Sequence, residues 1–148
     1  MAQRFPEISD KLARFIAAQK IYFVGTATSG GRVNISPKGM DSLRVIDKNR
    51  VVWLNVTGSG NETAAHVQEN PRMTLMFCAF EGDPLILRLY GKAKVIHQRD
   101  AEWQPLFSQL HPLPEKPAKG RSKAGANSAA GKVGGKSSKY KLRRGRNP

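Results

Sequence analysis

Residues 73–96 read MTLMFCAFEGDPLILRLYGKAKVI. The first eight, MTLMFCAF, have the length and apolar content of a buried strand. Glu81-Gly82-Asp83-Pro84 turns the chain, and residues 85–96 continue as a second, longer strand. On that strand Leu85, Leu87 and Leu89 share one face, and Ile86, Arg88 and Tyr90 share the other. Gly91 fits a bend where a sheet turns a corner. An Arg among leucines either faces solvent or pairs with an anion, because an unpaired buried charge is very costly. Arg88 is therefore a surface residue, or a contact for a ligand phosphate or a carboxylate.

Towards the N-terminus the same alternation recurs. Residues 21–28 (IYFVGTAT) form a strand, Ser29-Gly30-Gly31 is a turn, and residues 32–36 return as its hairpin partner. Residues 43–46 and 51–55 pair around Asp47-Lys48-Asn49-Arg50. Residues 6–19 read as a helix with Pro6 in its first turn, and Ile8, Leu12, Phe15 and Ile16 mark one buried face. Asp100 opens a last helix through Trp103, Leu106, Phe107 and Leu110. The expected fold is mainly β with α. It has six mostly antiparallel strands, a short helix between strands 4 and 5, and flanking terminal helices, which points to a barrel or sandwich rather than a doubly wound sheet.

The inserted helix comes from TGSGNETAAHVQENPR, residues 57–72. Ser59 and Glu62 have capping-box spacing, and Asn61 could cap equally well. Pro71 stops the helix. A capped helix accounts for the whole pattern. The same atoms could also cradle a phosphate. A helix start offers unpaired N–H groups and partial positive charge; Gly58 and Gly60 let an anion approach the backbone, and Asn61 and Thr63 add donors. A second candidate lies in NISPKGMDS, residues 34–42, where Ser36 and Lys38 flank a Pro at a strand end. That pair could grip a phosphate or the polar edge of a flat ring, or Lys38 could simply be solvated.

A chain of 148 residues suffices for one domain that buries roughly 70% of its unfolded surface. The net charge of +14 is unevenly spread: residues 1–110 hold 14 Lys/Arg against 10 Asp/Glu, whereas residues 111–148 hold 11 Lys/Arg against one Glu. The basic segment 111–148 is rich in Gly, Ala, Ser, Pro and Lys and poor in large apolar residues, so it is expected to be disordered. Its charge admits salt-dependent, sequence-independent contact with nucleic acid. AGKVGGKS (130–137) imitates a phosphate-binding loop but lies in low-complexity sequence, without the strand and helix that such a loop needs. The single Cys, Cys78, excludes an intrachain disulfide and a Cys-based zinc site, and His66, His97 and His111 lack metal-ligand spacing. No apolar run reaches the ~18 residues of a membrane span, so a cytoplasmic protein is the expectation.

Taken in order, a strand ending in SPKG, a strand pair, GN-x-x-A-x-x-x-x-ENPR, a buried strand and LRLYGKA resemble the pyridoxamine 5′-phosphate oxidase-like family of FMN-binding split β-barrels. The resemblance covers residues 5–110. It implies a homodimer with FMN, or a related deazaflavin, at the subunit interface. It places Ser36 and Lys38 against phosphate or ring, Leu54 and Asn55 against the isoalloxazine through backbone groups, and Gly60, Asn61 and Thr63 at the phosphate. Arg88 or Trp103 would reach a flavin from the partner chain. The implied function is a flavin-dependent oxidoreductase acting on a small molecule, with a flavin carrier or sensor and a nucleic-acid-binding protein as alternatives. The C-terminal Arg-Leu-x-Pro segment of the oxidase itself has no counterpart here, and the composition change at His111 raises the expectation of a divergent or frame-shifted end. Glu62 would repel a phosphate unless it points away.

Overall fold

The computed structural model describes residues 2–55, 60–110, 129–134 and 140–143. Its centre is the hairpin of β6 (Arg72–Cys78) and β7 (Ile86–Ile96), antiparallel in the register Met73↔Gly91, Leu75↔Leu89 and Phe77↔Leu87. Period-2 alternation sends these inward residues into one core, with Leu75 and Leu87 fully enclosed. Next to Gly91 the long strand changes partner. Arg72↔Lys92 is its last pair with β6, and Ala93↔Val133 begins its pairing with β8 (Ala129–Gly134). The glycine expected at a corner lies at one.

Around this hairpin, β2 (Tyr22–Thr26) pairs with β6 on one side and with β3 (Asn34–Lys38) on the other. Next in the chain, β4 (Leu43–Asp47) and β5 (Arg50–Asn55) form the second hairpin. The fold is mainly β, antiparallel, with three helices among the described residues. Here β5 is buried on both faces. Val51 and Trp53 join the main core with Tyr22, Leu75 and Phe77, while Val52 and Leu54 join a second cluster with Ile96, Trp103, Leu106 and Leu110. Helix α3 (Trp103–Phe107) covers that second cluster. Helix α2 (Gly60–Glu69) crosses between β5 and β6, as the sequence pattern predicts.

Two expectations are corrected. Helix α1 (Asp10–Ala18) starts later than Pro6, because Ser9 is its N-cap and accepts the Leu12 N–H at 3.4 Å. The Ile8 N–H is already spent on the Lys48 carbonyl at 2.7 Å, which holds the preceding residues outside the helix. The strand count is nine among the described residues rather than six. Their path runs β3-β2-β6-β7-β8-β5-β4, so β3 and β4 are its two ends and the described pairings leave the sheet open. Two of the additional strands, β8 and β9 (Tyr140–Arg143), lie within the basic segment 111–148, most of which falls outside the described residues. Strand β8 is paired on both sides, with β5 and β7, and β9 pairs with β7 and with β1 (Ala2–Phe5). Backbone ladders need no large side chains, so counting apolar residues does not reveal them. Ala130–Gly134 of the imitation phosphate loop is thus extended strand; residues 135–137 lie outside the described residues.

Leu75 is fully buried at the middle of the central hairpin. Leu75→Ala is expected to lower the unfolding free energy by about 2–5 kcal/mol, read from urea denaturation. A loss below about 1 kcal/mol would mean that the site relaxes in a way the packing does not allow for.

Candidate functional site

The described residues hold five buried polar side chains, Thr26, Asn34, Ser36, Asn55 and Thr63. Four of them are bonded beneath α2. The Ser36 Oγ donates to Asn34 Oδ1 at 3.0 Å, and Asn34 Nδ2 donates to Thr63 Oγ1 at 3.1 Å. Thr26 Oγ1 lies 3.1 Å from His66 Nδ1, one turn further along the helix. Such burial is tolerated because each group has a partner. The Thr63 hydroxyl accepts from Asn34 and so keeps its own hydrogen to donate. Thr63 sits in the first turn of α2, where backbone N–H groups lack intrahelical partners, so its hydroxyl and those N–H groups lie together at the start of the helix.

That cluster depends on an inversion in β3. Asn34 and Ser36 are buried, at 9% and 5% exposure, whereas Val33 and Ile35 are exposed at 69% and 66%. This strand turns its polar face inward and its apolar face outward. The outward face continues across the sheet through Phe23, Met76 and Tyr90, over a trough of about 570 Å³ that Arg72 and Arg88 also line. Arg88 forms no ion pair among the described residues. Thr26 borders both this trough and the polar cluster.

The structure thus brings together Ser36 and Thr63, through Asn34. Asn55 shares with Thr63 a narrow gap of about 10 Å³ lined also by Trp53 and Ala64, which is too small for a ring. Leu54 is buried, and its N–H donates to the Ser42 carbonyl at 2.9 Å. Lys38 ends β3, half-buried, and that burial lowers its ammonium pKa. Gly60 begins α2 and Asn61 is exposed on its first turn. The Glu62 Oε1 lies 3.8 Å from His66 Nε2, so the carboxylate is directed down the helix, away from its start. Ser59, the other half of the expected capping box, and Gly58 lie outside the described residues. Arg88 stands on the opposite face of the sheet from Ser36 and Thr63. Trp103 is buried in the second cluster and stacked on Phe107, with ring centroids 5.6 Å apart. Asn34, Thr26 and His66 were not among the expected site residues. The signal for Asn34 was a polar residue two positions before Ser36, on the same face of one strand.

The family model described as pyridoxamine 5′-phosphate oxidase matches residues 8–127, which reaches past Leu110 into the basic segment. The chain belongs to the pyridoxamine 5′-phosphate oxidase family. A curated member of that family, the ustO protein of Aspergillus flavus, is 38% identical over 102 residues, 67% of this chain. The chain spans about two fifths (41%) of the length of that relative. Among solved structures, HupZ of Group A Streptococcus shares the fold with a TM-score of 0.61 at 22% identity, covering 86% of this chain and 88% of its own. An FMN-binding protein from Syntrophomonas wolfei has a TM-score of 0.53 at 14% identity, covering 80% of this chain and 75% of its own. At those identities the likeness is one of fold. Among the described residues of this family member no group of three or more His, Cys, Asp or Glu could hold a metal ion, and no helix is long and apolar enough to cross a membrane.

Asn34→Ala removes the acceptor of Ser36 and the donor to Thr63 in one step. It is expected to cost about 1–3 kcal/mol of stability, since two buried hydroxyls lose a partner. A double-mutant cycle with Thr63→Val should show coupling of at least about 0.5 kcal/mol; strict additivity would mean that the two side chains do not act together.

Proposed function

We propose that this chain binds FMN, or a deazaflavin of the same shape, with the phosphate at the start of α2. The observation that carries this reading is the buried chain Ser36–Asn34–Thr63 beneath that helix start. A phosphate there would accept from the Thr63 hydroxyl and from the first-turn N–H groups, and the helix dipole would favour its charge. Asn34 would hold the Thr63 hydroxyl with its hydrogen available, Glu62 is directed away towards His66, and Lys38 would add positive charge at the end of β3. The arrangement suits an anionic group, because the Thr63 hydroxyl and the first-turn N–H groups would donate to it and Lys38 is a cation. The shared fold of an FMN-binding protein supports the same ligand class.

The flat ring needs an apolar surface, and the exposed face of β3, β2, β6 and β7 supplies one with room for it. That face and the Ser36–Thr63 cluster lie on opposite sides of the sheet. Arg88 of one copy and Thr63 of the same copy therefore cannot grip one small ligand directly through the sheet, but Arg88 of a second copy could. The exposed Val33 and Ile35 also call for a covering surface. These two observations support a homodimer with flavin at its interface. Bound flavin would supply redox chemistry to an oxidoreductase acting on a small molecule, and the chain's own residues would bind, orient and shield it.

The visible absorption spectrum of the purified protein, before and after addition of FMN, tests this directly. A flavin spectrum that is retained through gel filtration is expected, and Thr63→Val should weaken FMN binding about tenfold, or about 1.4 kcal/mol. Ile35→Glu should shift the protein from dimer to monomer and weaken FMN binding with it. A protein that stays colourless and binds no added FMN would overturn the reading.

A further inference from the structure

A second cavity, of about 440 Å³, lies between α1 and the start of β4, on residues that the flavin reading leaves unused. We propose that this cleft is a separate small-molecule site that takes a compact aromatic carboxylate. Its volume falls within the range of ligand sites. Ala13, Ile16 and Ala17 of α1 form one wall, and Leu43 and Val45 of β4 form the other. The floor is aromatic: Tyr22 and Phe77 are stacked with ring centroids 5.6 Å apart and an interplanar angle of 25°. A flat apolar ring would be in contact with apolar groups on three sides.

The polar groups fit a carboxylate. The Tyr22 hydroxyl and Ser42 Oγ lie 3.1 Å apart and share one hydrogen bond. Whichever of them donates, the other keeps a hydrogen to offer. Burial pushes the Tyr22 phenol pKa up, so it remains a proton donor throughout the ordinary pH range. Arg14 and Lys20 also line the cleft, and neither forms an ion pair among the described residues. The third cation, Arg44, is held by Asp41 in a two-pronged pair of 2.7 and 2.8 Å. The balance of charge is therefore positive, with two cations unspent.

The wall beside Ser42 is held in an unusual backbone. Met40 and Asp41, consecutive and neither of them glycine, have φ of 60° and 52°. Side chains rarely adopt that region, and such strain recurs at ligand clamps. At Gly39 a Cβ would meet the Lys20 carbonyl oxygen at 2.9 Å, so the turn is pressed against the chain leading into β2. The Arg44–Asp41 pair holds this conformation from its other side. A tight, strained turn that keeps Ser42 against Tyr22, beside unspent cations, distinguishes this cleft from an ordinary surface groove.

Isothermal titration calorimetry with 2-naphthoate and with the neutral 2-naphthamide tests the proposal on the full chain. The carboxylate is expected to bind with one site per chain, at least tenfold tighter than the amide. Arg14→Glu with Lys20→Glu should weaken it at least tenfold. Ala17→Phe, a change on the exposed side of α1 that fills the cleft, should abolish it while leaving FMN binding unchanged. Absence of naphthoate binding, equal affinity for acid and amide, undiminished affinity in Ala17→Phe, or displacement of naphthoate by FMN would each overturn the proposal. The naphthoate measurements need no flavin, so a failure of the flavin reading and a failure of this one are separable.

Discussion

One buried amide holds the candidate site together. Asn34 accepts from Ser36 on its own strand and donates to Thr63 on the helix that follows β5. Both of its polar ends are thereby satisfied inside the protein, where an unmade hydrogen bond is most expensive. The bond to Thr63 fixes the start of α2 over the sheet. It also fixes the proton position at Thr63, because a hydroxyl that accepts from an amide turns its own hydrogen elsewhere. The site's ability to donate to an anion thus follows from a contact two side chains deep.

That amide has a consequence for the opposite side of the sheet. If Asn34 and Ser36 point inward, Val33 and Ile35 must point outward, because the side-chain period of a strand is two. The apolar trough and the polar cluster are two results of one choice of phase in β3. Arg72 and Arg88 lie among the apolar residues of the trough, which gives that face both greasy surface and positive charge. A covering surface that also brings an anion would satisfy both. Such a surface would couple ligand binding to association.

Much of this architecture was legible in the sequence. The 72–96 hairpin declared itself by two apolar runs around Glu81-Gly82-Asp83-Pro84, and α2 by glycine before it and Pro71 after it. The direction of Glu62 was open, because a capping box and an i, i+4 contact with His66 use the same carboxylate. The phase of β3 was not legible, since alternation in RVNISPK defines two faces but not which is buried; the helix packed above it decides. For that reason the sequence does not mark Asn34 as a site residue, although Ser36 lies two positions on along the same face. The start of α1 was misplaced because Pro6 suits a first turn, whereas the Ser9 cap and the Ile8 bond to Lys48 decide the matter. Strands β8 and β9 were invisible to an argument from apolar content, being held by pairing along the backbone.

The central claim is that the start of α2, braced by Asn34, seats an anionic ligand. Amide hydrogen exchange with and without saturating FMN tests it most directly, because the first N–H groups of a helix have no internal partner and exchange readily unless a ligand bonds them. The account predicts marked slowing at residues 60–63 when FMN is added, accompanied by slowing in β3. FMN binding that protects other segments and leaves residues 60–63 exchanging as before would contradict it.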